Sequence, residues 1–202
     1  VAAIAASTFG AVSTAQAEVT TSANVALTSD YRFRGVSQTD EGIAIQGGFD
    51  ADFGNGFYVG NWNSSLGGVS YAGTDGIEMD FYGGYAGEIN GVSYDVGLLQ
   101  YYYPGATDNN PTVSNLDTLE VYGSVGYMGF SAGLSYSMSD YFGVQNSDGT
   151  TYIKLGYEHS FTDSLSGYVH YGTTSYEGAG NSALDYDDYA IGVTYALGKY
   201  EL

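Results

Sequence analysis

The chain contains no cysteine, only two prolines and only four basic residues. Without cysteine there is no disulfide framework, no thiolate metal site and no thiol nucleophile. Four basic residues stand against 23 acidic ones, a formal charge of −19. That balance excludes nucleic acid as a partner, because recognition of a phosphate backbone needs a basic patch. Beyond the N-terminal stretch there is no run of 18 or more apolar residues, so no transmembrane helix is expected. Aromatic and β-branched residues are too plentiful for a disordered chain, despite the charge.

In excess are glycine, 31 residues, and tyrosine, 22 residues. Residues 1–17, VAAIAASTFGAVSTAQA, are small and apolar and end in Ala15-Gln16-Ala17. They read as the tail of a secretory signal with an A-x-A cleavage site, leaving a single mature domain at 18–202.

From Ala23 onward the hydrophobic pattern has period 2, and period 3.6 is absent over any useful length. About ten strands follow. Representative apolar faces are Ile43, Ile45, Phe49, Ala51 and Phe53; Val92, Tyr94, Val96 and Leu98; and Tyr189, Ile191, Val193, Tyr195 and Leu197. The third strand, from Phe57, faces ambiguously, because Tyr58 and Trp62 oppose Phe57 and Val59. The links alternate long and short throughout. Gly54-Asn55-Gly56, Asn90-Gly91, Met128-Gly129 and Thr162-Asp163-Ser164 mark the tight turns. Both prolines fall in one long link.

Apolar-face aromatics border the tight turns: Phe53, Phe57, Tyr85, Tyr94, Tyr127, Phe130 and Phe161. Tyr31, Phe33, Tyr171 and Tyr189 stand at the opposite strand ends. Two aromatic girdles, strands of about ten residues and alternating link lengths are the pattern of an outer-membrane protein. The expected fold is all-β: a transmembrane antiparallel up-and-down β-barrel of about ten strands, with long extracellular loops and short periplasmic turns. A water-soluble barrel or sandwich would instead expose a face rich in Gly, Ser and Tyr, and has no use for two girdles.

Two of the four basic residues lie in one run, Ser29-Asp30-Tyr31-Arg32-Phe33-Arg34-Gly35-Val36-Ser37-Gln38-Thr39. As a continuation of the first strand, this run would turn Asp30, Arg32 and Arg34 inward and Tyr31 and Phe33 outward. The run SDYRFRGVSQT, with Gly47-Gly48-Phe49-Asp50 in the next strand, resembles the TorF-type porin family of proteobacterial outer-membrane barrels. The resemblance implies a bacterial outer-membrane channel, linked in some relatives to uptake of trimethylamine N-oxide. It extends over the mature chain in length and strand rhythm, and its sharp motif is confined to the first strand.

The inward face collects Asp30, Arg32, Arg34, Asp50, Asp52, Glu78, Asp80, Asp95, Glu120, Lys154, Glu158 and His170 as pore-lining candidates. Eight acids against three fixed cations would favour cations in an open lumen. A plugged barrel uses the same residues differently: Arg32 and Arg34 would neutralise Asp50, Asp52 and Glu78, since buried charges must be paired. Tyr82, Tyr122, Tyr152 and Tyr168 also point inward and narrow a barrel of this size.

The run Asp185-Tyr186-Asp187-Asp188 reads as a solvated, self-repelling loop, because it lacks the ligand spacing of a calcium loop. No metal site and no cofactor are expected. Catalysis has little support: there is no G-x-S-x-G elbow, His159 falls on the apolar face, and His170 is a lone inward histidine. The expected function is passive diffusion of small polar or cationic solutes through a porin, with outer-membrane lipid and lipopolysaccharide as partners. The alternative is a non-conducting barrel that binds a ligand, lipid or partner through its acidic loops. Self-association, common among porins, is left open, since no apolar patch singles out a subunit contact.

Overall fold

A computed structural model describes residues 19–67, 76–105, 115–197 and 200–201. The signal-like segment 1–17 lies outside these residues. Ten strands of eight or more residues make one antiparallel sheet: β1 (Thr20–Thr28), β4 (Ala44–Asp52), β5 (Phe57–Ser65), β6 (Ile77–Ile89), β7 (Val92–Tyr102), β8 (Thr118–Tyr127), β9 (Phe130–Ser137), β10 (Thr151–Thr162), β11 (Leu165–Ser175) and β12 (Tyr186–Leu197). Two-residue β2 (Arg32–Phe33) and β3 (Val36–Ser37) form a separate hairpin between β1 and β4. Two-residue β13 (Tyr200–Glu201) folds back on β12. Each long strand pairs with the next in sequence, so the topology is up-and-down.

The tight turns follow from local chemistry. Asn90 (φ 53°) and Gly91 (φ 80°) join the facing pair Ile89 and Val92. Positive φ at both central residues is the two-residue hairpin turn whose twist matches that of the strands. Met128 (φ 51°) and Gly129 (φ 85°) do the same between Tyr127 and Phe130.

The side chains are distributed inside out. On the convex face Phe49, Val59, Phe81, Val96, Leu98, Val125, Leu155 and Val193 are exposed. On the concave face the fully buried strand side chains, apart from the small Ala44, are polar: Ser64, Glu78, Thr118, Glu120, Ser137 and Thr174. In a water-soluble domain, the large apolar side chains take the buried positions. The third long strand loses its ambiguity here. Phe57 and Val59 face outward, while Tyr58 meets the inward Asp95 and Trp62 the buried Tyr31.

Two expectations need correction. First, the sheet does not close. Among the described residues β1 pairs only with β4, and the far edge of β12 is met only by β13, at Ala196 and Leu197. β1 and β12 are antiparallel neighbours in a closed ring, so β13 holds the very end of β12 at which β1 would begin. Val25 and Leu27 on one edge, and Tyr189 and Ile191 on the other, are 75–85% exposed, as unpartnered edge strands require. Second, the first strand ends at Thr28, and the arginine run is not part of it. Arg34 (φ 46°) and Gly35 (φ 83°) make another two-residue turn, between Phe33 and Val36, and the chain doubles back.

Candidate functional site

The β2–β3 hairpin lies across the long-loop end of the concave face. From its base, Tyr31 packs edge-on against Trp62 of β5 with ring centroids 5.3 Å apart. The Tyr31 hydroxyl donates to Glu78 Oε1 of β6 at 2.6 Å. At its tip, Arg34 Nη1 and Nη2 donate to the two carboxylate oxygens of Glu120 in β8, each at 2.8 Å. Arg34 Nη1 also donates to Tyr141 Oη at 2.8 Å. The guanidinium stacks over Tyr152 of β10 at 4.2 Å and over Phe33 at 4.7 Å. Gly35 leaves no room for a side chain: a Cβ there would sit 2.6 Å from Asp188 Cβ in β12. One hairpin therefore touches strands from β5 to β12, and the sheet curls around it.

Tyr101, Tyr103 and Tyr141 complete this plug and are buried. Tyr103 Oη donates to Glu78 Oε2 at 2.7 Å, so both Glu78 oxygens are satisfied by phenols. Tyr101 Oη lies 3.3 Å from Glu120 Oε2. Phe33, Tyr101, Tyr103 and Tyr141 pack around Phe142. Burial pushes the Tyr31 and Tyr103 hydroxyls well above their ordinary pKa, and the neighbouring Glu78 charge adds to it. Both phenols therefore keep their protons and remain donors. Burial also raises Tyr141, and the adjacent Arg34 charge works the other way.

Toward the short-turn end the concave face changes character. There tyrosines lie over glycines directly opposite on the neighbouring strand: Tyr58 over Gly84, Tyr82 over Gly60, Tyr122 over Gly97 and Tyr168 over Gly192. An aromatic ring covering a cross-strand glycine shields backbone that has no side chain of its own. Three of the four hydroxyls are anchored as well. Tyr82 donates to Asp50 Oδ1 and Tyr58 to Asp95 Oδ1, both at 2.6 Å, and Tyr58 also meets Tyr122. The excess of glycine and tyrosine thus builds the wall itself.

The twelve pore-lining candidates separate on this geometry. Arg34, Glu78, Asp80 and Glu120 come together beneath the hairpin. Asp50, Asp95, Lys154 and His170 lie further along the concave face, with the Lys154 stem crossing Gly133. Asp52 accepts the Gly54 backbone N–H at 2.6 Å and shapes a turn, and Glu158 is exposed at the turn end. Arg32 is not a wall residue. Half exposed on the hairpin, it pairs with Asp30 at 2.6 Å and Glu41 at 3.8 Å. The expected pairing of the arginines with Asp50, Asp52 and Glu78 is replaced by Arg34–Glu120 and Arg32–Asp30. Tyr31 and Phe33 leave the expected outer girdle for the plug, because the chain departs from the sheet after Thr28, bends at Ser29-Asp30 and doubles back at Arg34-Gly35. Tyr171 and Tyr189 do stay exposed, as do Phe53, Phe57, Tyr85, Tyr127, Phe130 and Phe161 at the other rim.

Sequence reasoning missed Tyr101, Tyr103 and Tyr141 as site residues, and it placed Asp188 in a loop. Asp188 belongs to β12, is buried, and lies with Oδ1 2.8 Å from His170 Nε2; Tyr152 Oη is 3.0 Å from the same nitrogen. The inward parity of Asp188, Ala190 and Gly192 was the available signal.

An antiparallel sheet with an apolar outer face, a polar buried inner face and a plugged loop end defines a β-sheet protein turned inside out. The chain belongs to a family described as "Bacterial protein of unknown function (Gcw_chp)", whose model matches residues 12–200. A search of the curated proteins found no match.

Proposed function

We propose that this protein is a bacterial outer-membrane β-barrel that passes small polar or cationic solutes along its acidic inner wall, as the resemblance to TorF-type porins implies. One observation carries the reading: the exposed face is apolar and aromatic while the enclosed face holds the charges. Only a lipid surround makes that distribution favourable, since exposed apolar area costs about 25 cal/mol per Å² in water. The exposed aromatics at both strand ends suit headgroup depth. In this reading β1 and β12 meet in the membrane, where unpaired edge groups cannot be hydrated. The partners are outer-membrane lipid and lipopolysaccharide outside and the solute inside, and no chemistry is performed on it.

Planar-bilayer recording tests this. Cation-selective conductance steps are expected from the purified protein. A reversal potential favouring anions would rule out the acidic wall as the selective element. Complete absence of steps would favour the second reading, a non-conducting barrel that binds its ligand or partner through the loops. That reading has its own support in the hairpin buried across the loop end.

A further inference from the structure

Beneath the hairpin the inner face carries three buried carboxylates, Glu78, Asp80 and Glu120, and the one guanidinium there, Arg34, pairs with Glu120 alone. Glu120 is matched by Arg34, and Glu78 accepts two phenolic hydrogen bonds. Asp80 lies two residues from Glu78 along β6 and on the same face. Its side chain makes no hydrogen bond or ion pair among the described residues; Oδ1 is fully enclosed, and the residue is only 8% exposed. A buried carboxylate with no partner is costly and must gain a counter-charge or a proton. Phenolic donors soften the charge on Glu78 without cancelling it, so this corner of the concave face carries an unmatched negative charge.

We propose that Asp80, with Glu78 beside it, binds a hard, partly hydrated cation on the concave face under the hairpin. The donors on offer are all oxygen: the Asp80 carboxylate, the Glu78 carboxylate, and the remaining lone pairs of the Tyr31 and Tyr103 hydroxyls. Oxygen donors select alkali and alkaline-earth ions over softer metals. Among the described residues no three His, Cys, Asp or Glu side chains are grouped as a metal would need. The ion therefore keeps part of its water shell, which both Na⁺ or K⁺ and Ca²⁺ or Mg²⁺ permit. Conduction is not required for this site, so an absence of current would not remove it.

The test is the thermal midpoint of the whole folded protein in zwitterionic detergent near neutral pH and at fixed ionic strength. N-methyl-D-glucamine chloride serves as the baseline, against NaCl, KCl, CaCl₂ and MgCl₂. A ligand that binds only the folded state raises the midpoint in a saturable way. The wild type is expected to gain several degrees with either the monovalent or the divalent pair, which assigns the ion. Asp80→Asn should abolish the gain while matching or exceeding the wild-type midpoint in the baseline salt. Asp52→Asn, at the turn, should keep the gain. Equal wild-type midpoints in every salt would overturn the proposal and leave a proton as the occupant. A gain that survives in Asp80→Asn would overturn it too, placing the ion elsewhere. Should Asp80→Asn not fold, Asp80→Ser is read by the same criteria. Should neither fold, ²³Na line broadening and calcium titration of the wild type decide, and absence of binding in both overturns the proposal.

Discussion

The two ends of the concave face follow the same alternation of side chains yet are held in different ways. At the turn end, each tyrosine covers the glycine directly across from it, so the wall is sealed by nearest neighbours in the sheet. At the loop end, the seal comes from far along the chain: Arg34 and Glu120 are 86 residues apart, and Tyr31 and Glu78 are 47 apart. The turn end is therefore a repeated local device, and the loop end is a single long-range assembly. Damage should stay local in the first and spread in the second.

The sharpest break of this contrast is Arg34→Ala. It leaves Glu120 buried with its countercharge gone. Removing one partner of a buried ion pair costs about 3–5 kcal/mol. Urea unfolding in micelles should show that loss. Glu120→Gln in the same background should recover much of it, because the uncompensated charge is then gone. A loss below about 1 kcal/mol would mean that the pair is solvated and the hairpin is not a plug.

Tyr103→Phe probes the same end more gently. It takes one of two phenolic donors from Glu78, and hydrogen bonds to charged groups contribute about 1.5–3 kcal/mol. The same unfolding measurement applies. Its effect should be strongly non-additive with Tyr31→Phe, since both hydroxyls serve the same carboxylate.

Gly60→Ala carries the comparison to the turn end. The new Cβ would fall on the Tyr82 ring and within 2.6 Å of Asp50 Oδ1. Overpacking of this kind costs about 1–3 kcal/mol. Tyr82→Leu should relieve it, and the Arg34–Glu120 end should not respond. A coupling between Gly60→Ala and Arg34→Ala, measured in a double-mutant cycle, would show that the two ends are one unit after all.

Strand rhythm was open to sequence reading because alternation is a local property. Ten strands, the order of long and short links, and the outward faces of Phe49, Val96 and Ile191 all follow from it. Inward acids such as Glu78, Asp80 and Glu120 are legible on the same grounds. Pairing partners are not, because period 2 says which face a residue takes and nothing about what bends over it. Tyr31 shows the limit. Its parity as a continued strand residue points outward, but the strand stops at Thr28, and the turn at Arg34 and Gly35 folds the run that follows into a hairpin. Arg-Gly is a weak turn signal beside the Asn-Gly at residues 90–91, so the hairpin goes unread. The Tyr–Gly wall is hidden differently: both residue types are conspicuous in composition, but the register that puts Tyr58 on Gly84 exists only once the strands pair.

The smallest expected effect lies on the hairpin's outer side, where Asp30 faces Arg32, Ser37 and Thr39. The Ser37 hydroxyl, donating at 2.6 Å, holds the Asp30 carboxyl below the usual carboxylate range. Partial burial opposes it, and Arg32 and Thr39 act in the same direction as Ser37. A carboxyl with a lowered folded pKa binds fewer protons folded than unfolded. Its contribution is then fully present above the unfolded value, about 3.9, and is lost as pH falls through the folded value. The urea midpoint of the wild type should exceed that of Asp30→Asn by a constant margin at neutral pH. The margin should begin to shrink below about pH 5 and fade at lower pH, across the ordinary aspartate range. Because this pair faces solvent, the margin should also narrow in high salt, whereas the Arg34→Ala loss should not. A margin that ignores both pH and salt would assign Asp30 a purely steric part in the turn and would make the hairpin's outer side as insulated as its inner one.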